Sequence, residues 1–130
     1  MSNTEEQNEQ WVHLNGKLVP KAEATVSIYD HGFLYGDGAF EGIRVYNGNV
    51  FRLQAHLVRL LRSCKSLGFD LKRTLPELTS DVVSVCRANK HQDGYIRFSV
   101  SRGVGLGLDP KSLKSEPTLI ISNEQLRLYS

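Results

Sequence analysis

The run Phe40-Glu41-Gly42-Ile43-Arg44-Val45-Tyr46-Asn47-Gly48-Asn49-Val50-Phe51-Arg52 sets how this chain folds. Asn-Gly readily takes the two left-handed conformations of a tight hairpin turn, so the chain reverses at Asn47-Gly48 and the flanking residues pair as antiparallel strands. Successive strand residues point to opposite faces, which sends Ile43 and Val45 to one side and Phe40, Gly42, Arg44 and Tyr46 to the other. The first set belongs against a core. The second combines aromatic rings, a gap and a cation.

On the N-terminal side, Trp11-Val12-His13-Leu14 and Lys17-Leu18-Val19 flank Asn15-Gly16 and predict another hairpin. The segment Asp30 to Gly38 is too rich in glycine for a regular element and too aromatic for an idle linker, so it reads as a packed loop. Downstream, Leu53, Leu57, Leu60, Leu61, Cys64 and Leu67 recur at three and four and predict one helix, stopped by Gly68. Thr74-Leu75-Pro76-Glu77 has capping-box spacing with proline in the first turn, opening a second helix whose stripe is Leu78, Val82, Val83 and Cys86. Strands Gly94 to Val100 and Thr118 to Ser122 follow, joined by the glycine-rich Arg102 to Pro110. Strands, then helices, then strands give an α+β two-layer sandwich: a mainly antiparallel sheet with two helices on one face. Residues 1–10 read as a disordered polar tail, 11–123 as one domain and 124–130 as the start of a linker.

Sixteen Lys and Arg against fourteen Asp and Glu leave a formal charge of +2 without a basic stripe, which argues against nucleic acid as a partner. No apolar run approaches the roughly 18 residues of a membrane span, and the polar start has no signal-peptide character, so a cytoplasmic protein off the membrane is expected. Cys64 and Cys86 share the phase of core leucines and valines and read as reduced thiols. The four histidines lack ligand spacing, so no metal site is assigned.

The alternation of the hairpin recurs in Tyr95 to Val100, where Ile96, Phe98 and Val100 form an apolar side and Tyr95, Arg97 and Ser99 the other. A polar sheet face is ordinarily just wet. Two arginines beside Phe40, Tyr95 and a glycine also suit a floor for a carboxylate or phosphate, because guanidinium pairs with such anions through two hydrogen bonds.

Together, Tyr35-Gly36-Asp37-Gly38-Ala39-Phe40-Glu41-Gly42-Ile43-Arg44, Arg59 in His56-Leu57-Val58-Arg59-Leu60, Tyr95-Ile96-Arg97 and Arg102 to Pro110 resemble the class IV aminotransferases, the branched-chain amino acid aminotransferases above all. The resemblance runs from about Trp11 to Ser122 and implies the small N-terminal domain of an enzyme that uses pyridoxal 5'-phosphate. It implies that Arg59 holds the cofactor phosphate, and the helical phase of Arg59, away from the apolar stripe, leaves it free to do so or simply to be solvated. Tyr35, Phe40 and Gly42 match the wall on the substrate side, and Arg44 lies in the same motif. Tyr95 and Arg97 match residues at the carboxylate end of the amino acid or oxo acid, with Arg97 also placed for the second carboxylate of glutamate. Leu106 and Leu108 match a loop that crosses to a neighbouring subunit, which implies a homodimer. That loop is one residue shorter here than the common pattern.

Such an enzyme needs a lysine to hold the cofactor and an acidic partner for its ring nitrogen. The resemblance places both in a C-terminal domain, and none of the chain's own lysines is assigned a catalytic role. The expectation is that these 130 residues alone are inactive, and that transamination between branched-chain amino acids and 2-oxoglutarate needs the C-terminal domain. A D-amino acid aminotransferase, an aminodeoxychorismate lyase domain, and a non-catalytic binding or dimerisation module are the alternatives.

Overall fold

The computed structural model describes residues 10–104 and 116–125. Both Asn-Gly hairpins form: β1 (Trp11–Leu14) turns into β2 (Lys17–Pro20), and β3 (Gly38–Tyr46) turns into β4 (Asn49–Val50). Asn15, Gly16, Asn47 and Gly48 all have positive φ, as that turn type requires. The helix α2 (Leu53–Leu67) ends on left-handed Gly68. The helix α3 (Leu75–Asn89) starts at a complete capping box, Thr74 accepting from the Glu77 amide and the Glu77 carboxylate accepting from the Thr74 amide. The strands β5 (Gly94–Ser101) and β6 (Thr118–Gln125) complete a six-stranded antiparallel sheet in the order β2-β1-β6-β5-β3-β4.

One face of the sheet meets α2 and α3. Ile43, Val45, Ile96, Phe98, Val100, Leu119 and Ile121 pack there against Leu57, Leu60, Cys64, Leu78, Val82 and Val85. Removing these side chains from water supplies the main drive for the two-layer arrangement. Both cysteines are free thiols, and burial pushes each up to about 11, so they behave as packing groups.

The structure departs from the sequence reading at three places. The expected loop from Asp30 to Gly38 contains a one-turn helix, α1 (His31–Tyr35), because the Asp30 side chain accepts from the Gly32 amide and left-handed Gly36 closes the C-terminal end. The buried stripe of α3 is Leu78, Asp81, Val82 and Val85, with Val83 and Cys86 only half-buried. Its rotation toward the sheet lets Asp81 receive Arg73 at 2.6 Å beside His13 at 3.4 Å, and burial holds that imidazole below its ordinary pKa. Finally, β6 runs on past Ser122 to Gln125, because every residue from Thr118 finds a partner on β5.

The assignment of faces is checked by a pair of neighbours on β5. Val100 is 4% exposed under the helices, whereas Ser99 lies on the opposite face. Val100→Asp is expected to cost about 3 kcal/mol or more, and Ser99→Asp about 1 kcal/mol or less, in urea denaturation. Equal losses would contradict the facing.

Candidate active site

The face turned away from α2 and α3 is built by β3 and β5 in register. Phe40 pairs with Ser99, Gly42 with Arg97, and Arg44 with Tyr95. Tyr95 lies across Gly42 so closely that a Cβ there would stand 2.2 Å from the phenolic oxygen. The missing side chain is what gives the ring its place. Arg97 is held with its guanidinium over the Phe40 ring, 4.3 Å from the centroid, and among the described residues it makes no hydrogen bond. Its N–H edges are therefore available to an anion. Arg44 sits over Tyr46 at 5.0 Å, and its buried Nε has no hydrogen-bond partner among the described residues.

The structure thus brings Phe40, Gly42, Arg44, Tyr95 and Arg97 onto one surface. Tyr35, the last residue of α1, is half-exposed, with its ring edge-on to buried His31 at 5.0 Å. Leu106 and Leu108 lie outside the described residues.

Arg59 stands on the helix side of the same strand. Its side chain is 68% exposed, yet it is not loose: Nε and Nη2 donate to the two oxygens of Glu41 at 2.8 and 2.7 Å. His56 Nδ1 lies 2.7 Å from the same carboxylate. Glu41 is only 4% exposed. The hydrogen bonds from Arg59 are the largest influence on it and hold its carboxyl below the ordinary glutamate range, against the opposing effect of burial. The fork of Arg59 is half-used. Arg59 also lines an open groove of about 680 Å³ together with Arg52, Gln54, Ala55, His56, Val58 and Arg62. Of these groups, His56 is tied to Glu41 and Arg52 lies over the Phe51 ring.

Glu41 and His56 were the residues that sequence reasoning passed over. The signal was present, since Glu41 falls at a core-side position between Ala39 and Ile43, where a charged side chain must find a partner. Only the packing of α2 on β3 shows that His56 and Arg59, one turn apart, are that partner.

Comparison with known proteins gives the family and the fold relatives of the chain. Residues 38–130 match the family model for amino-transferase class IV, so the chain belongs to that family. It is 50% identical over 109 residues to the "Putative branched-chain-amino-acid aminotransferase" of Methanocaldococcus jannaschii, covering 83% of this chain and 38% of the relative. It is 37% identical over 107 residues to the D-alanine aminotransferase of Bacillus licheniformis, covering 77% of this chain and 38% of the relative. Its fold superposes on the crystal structure of the T.th. branched-chain amino acid aminotransferase with pyridoxamine 5'-phosphate with a TM-score of 0.82 at 28% identity, over 93% of this chain and 41% of that one. The chain therefore spans about two-fifths of the length of these relatives.

The Glu41 clamp carries a sign that can be measured. A carboxyl held below its unfolded value contributes stability above that value and loses it as pH falls through the folded one. Glu41→Gln should therefore be less stable than wild type near neutrality, and the gap should begin to shrink as pH falls through the ordinary glutamate range and close only below it, through the lowered folded-state value. Chemical denaturation across that range checks it. A gap independent of pH would mean that the charge of Glu41 is not what holds Arg59.

Proposed function

We propose that this chain is the small N-terminal domain of a pyridoxal-phosphate aminotransferase that exchanges amino groups between branched-chain amino acids and 2-oxoglutarate. The observation that carries the reading is the shared backbone of Phe40-Glu41-Gly42, which clamps Arg59 on one side and walls the Tyr95 and Arg97 surface on the other. The half-used guanidinium fork and its basic groove fit the phosphate of such a cofactor. Once bound, pyridoxal phosphate supplies the electron sink on which an amino group is taken up and passed on.

The chain's residues bind and orient. Arg59 takes the phosphate, with its direction set by Glu41. Tyr95 and Arg97 receive the carboxylate end of the amino acid or oxo acid, and Arg97 the second carboxylate of glutamate; Tyr35, Phe40, Gly42 and Arg44 close the side of the pocket. Leu106 and Leu108 we assign to the pocket of a neighbouring subunit. Among the described residues Lys17, Lys21, Lys65, Lys72 and Lys90 are exposed, Lys111 and Lys114 lie outside the described residues, and we place the lysine that holds the cofactor in the further length that the relatives carry. A homodimer is supported by exposed Val26, Ile28, Tyr29 and Phe33, an apolar surface that association would cover. A cytoplasmic location is supported by the two free cysteines. Among the described residues no helix is long and apolar enough to cross a membrane.

The D-alanine aminotransferase relative supports a second reading, in which the substrates are D-amino acids. The chain joined to the C-terminal portion of its relatives, assayed with leucine and with D-alanine against 2-oxoglutarate, separates the two. Leucine turnover is expected to prevail. Arg59→Ala should weaken cofactor retention, read from cofactor absorbance after dialysis. Arg97→Ala should retain cofactor and lower kcat/KM by about 10- to 100-fold, the worth of one or two charge-assisted hydrogen bonds. Loss of cofactor from Arg97→Ala and not from Arg59→Ala would reverse the two roles.

A further inference from the structure

Asp30 belongs to none of the groups assigned so far, yet it is 4% exposed and its two carboxyl oxygens accept three hydrogen bonds from three parts of the fold. The Gly32 amide donates to Oδ1 at 2.8 Å and caps α1. Ser101 Oγ donates to Oδ1 at 2.6 Å from the last residue of β5. Thr118 Oγ1 donates to Oδ2 at 2.5 Å from the first residue of β6. Ser101 and Thr118 are direct cross-strand partners. By the alternation of their strands both point to the face that carries Tyr95 and Arg97, away from α2 and α3.

The carboxyl group of Asp30 thus pins the start of α1 onto one rung of the sheet, on the face proposed to meet substrate. The contact is close, since a Cβ on Gly32 would stand 2.9 Å from Ser101 Cβ and 3.0 Å from Asp30 Oδ1. Backbone bonds reinforce it: His31 N donates to Gly103 O at 2.7 Å, and Leu34 N to Asp30 O at 2.9 Å. α1 is a single turn, too short to hold its own shape, because one turn of helix does not repay the backbone order it needs. This fastening holds the start of α1, the Asp37–Arg102 pair holds the segment just beyond it, and Tyr35 is the last residue of the helix between them.

We infer that Asp30 is a positioning residue for substrate binding: by tying α1 to the Ser101 and Thr118 rung it sets the place of Tyr35 against the open face of the sheet. The inference rests on the reading of that face as the substrate side. The role belongs to the shape of the acceptor pair, with charge secondary. Asn can reproduce it, its oxygen facing Gly32 and Ser101 and its amide donating to the Thr118 hydroxyl. Ala supplies no acceptor, and Glu is a methylene too long to cap and bridge at once.

The test uses the chain joined to the C-terminal portion of its relatives, with Asp30→Ala, Asp30→Glu, Asp30→Asn and Gly32→Ala. Gly32→Ala keeps the carboxyl but crowds both Ser101 Cβ and Asp30 Oδ1, so it disturbs the same fastening even if Asp30→Ala does not fold. Asp30→Ala, Asp30→Glu and Gly32→Ala are each expected to raise KM for the amino acid about tenfold, with kcat within about threefold of wild type and cofactor absorbance unchanged. Asp30→Asn should restore a KM close to wild type. Amide hydrogen exchange at Leu34 and Tyr35 should quicken in the first three variants and not in Asp30→Asn. A residue that only stabilised the fold would lower Tm and leave KM unmoved, and that result overturns the inference, as does a wild-type KM in Gly32→Ala. If the wild type itself fails to transaminate, the proposed function falls. The exchange data then decide the placement of α1 alone, and unchanged exchange at Leu34 and Tyr35 in Asp30→Ala and Gly32→Ala removes that too.

Discussion

β3 and β5 pair over eight consecutive registers, from Gly38 with Ser101 to Val45 with Gly94, and nearly everything else in the molecule is placed by that ladder. The pleat lets each residue serve one face only. Ile43, Val45, Ile96 and Phe98 therefore go beneath the helices while Gly42, Arg44, Tyr95 and Arg97 go to the other side. A slip of one residue would exchange the two sets, burying arginines and exposing the core, which costs far more than any single contact could return. The register is held by the hydrophobic effect, and the surface of Gly42, Arg44, Tyr95 and Arg97 inherits it.

Among the described residues three carboxyl groups are buried, at Asp30, Glu41 and Asp81. Each has its hydrogen bonds: Asp30 from an amide and two hydroxyls, Glu41 from Arg59 with His56 alongside, Asp81 from Arg73. Groups of this kind add little net stability, because desolvation offsets most of their attraction, but leaving one unmatched is expensive. They consequently select one arrangement of elements over others of similar hydrophobic burial. Asp81 fixes the roll of α3 and Glu41 fixes the direction of Arg59. Arg102 adds a fourth junction, joining Asp37 at 2.5 Å to the Leu67 and Gly68 carbonyls at the end of α2.

Much of the fold was legible because its signals are local. Asn-Gly turns, the Thr74 capping box, the Gly68 stop and the alternation in Tyr95 to Val100 each act within a few residues and need nothing distant to operate. The helix α1 was also written locally, as Asp30 before it and Gly36 after it, but a one-turn element carries no periodicity to betray it. The stripe of α3 was misread by one position because Val83 and Val85 are equally apolar. Choosing between them needs the direction of the sheet beneath.

Spacing and short motifs along the chain are enough to specify the strands, the two long helices, the apolar face and the family to which the chain belongs. They leave open which charged and polar groups meet, and packing in three dimensions settles that. Asp30 finds Thr118 across 88 positions, Arg102 finds Asp37 across 65, and Glu41 finds Arg59 across 18. A hydrogen bond forms within about 3 Å in space whatever the separation along the chain, so such pairs come into being only once the sheet and helices have packed.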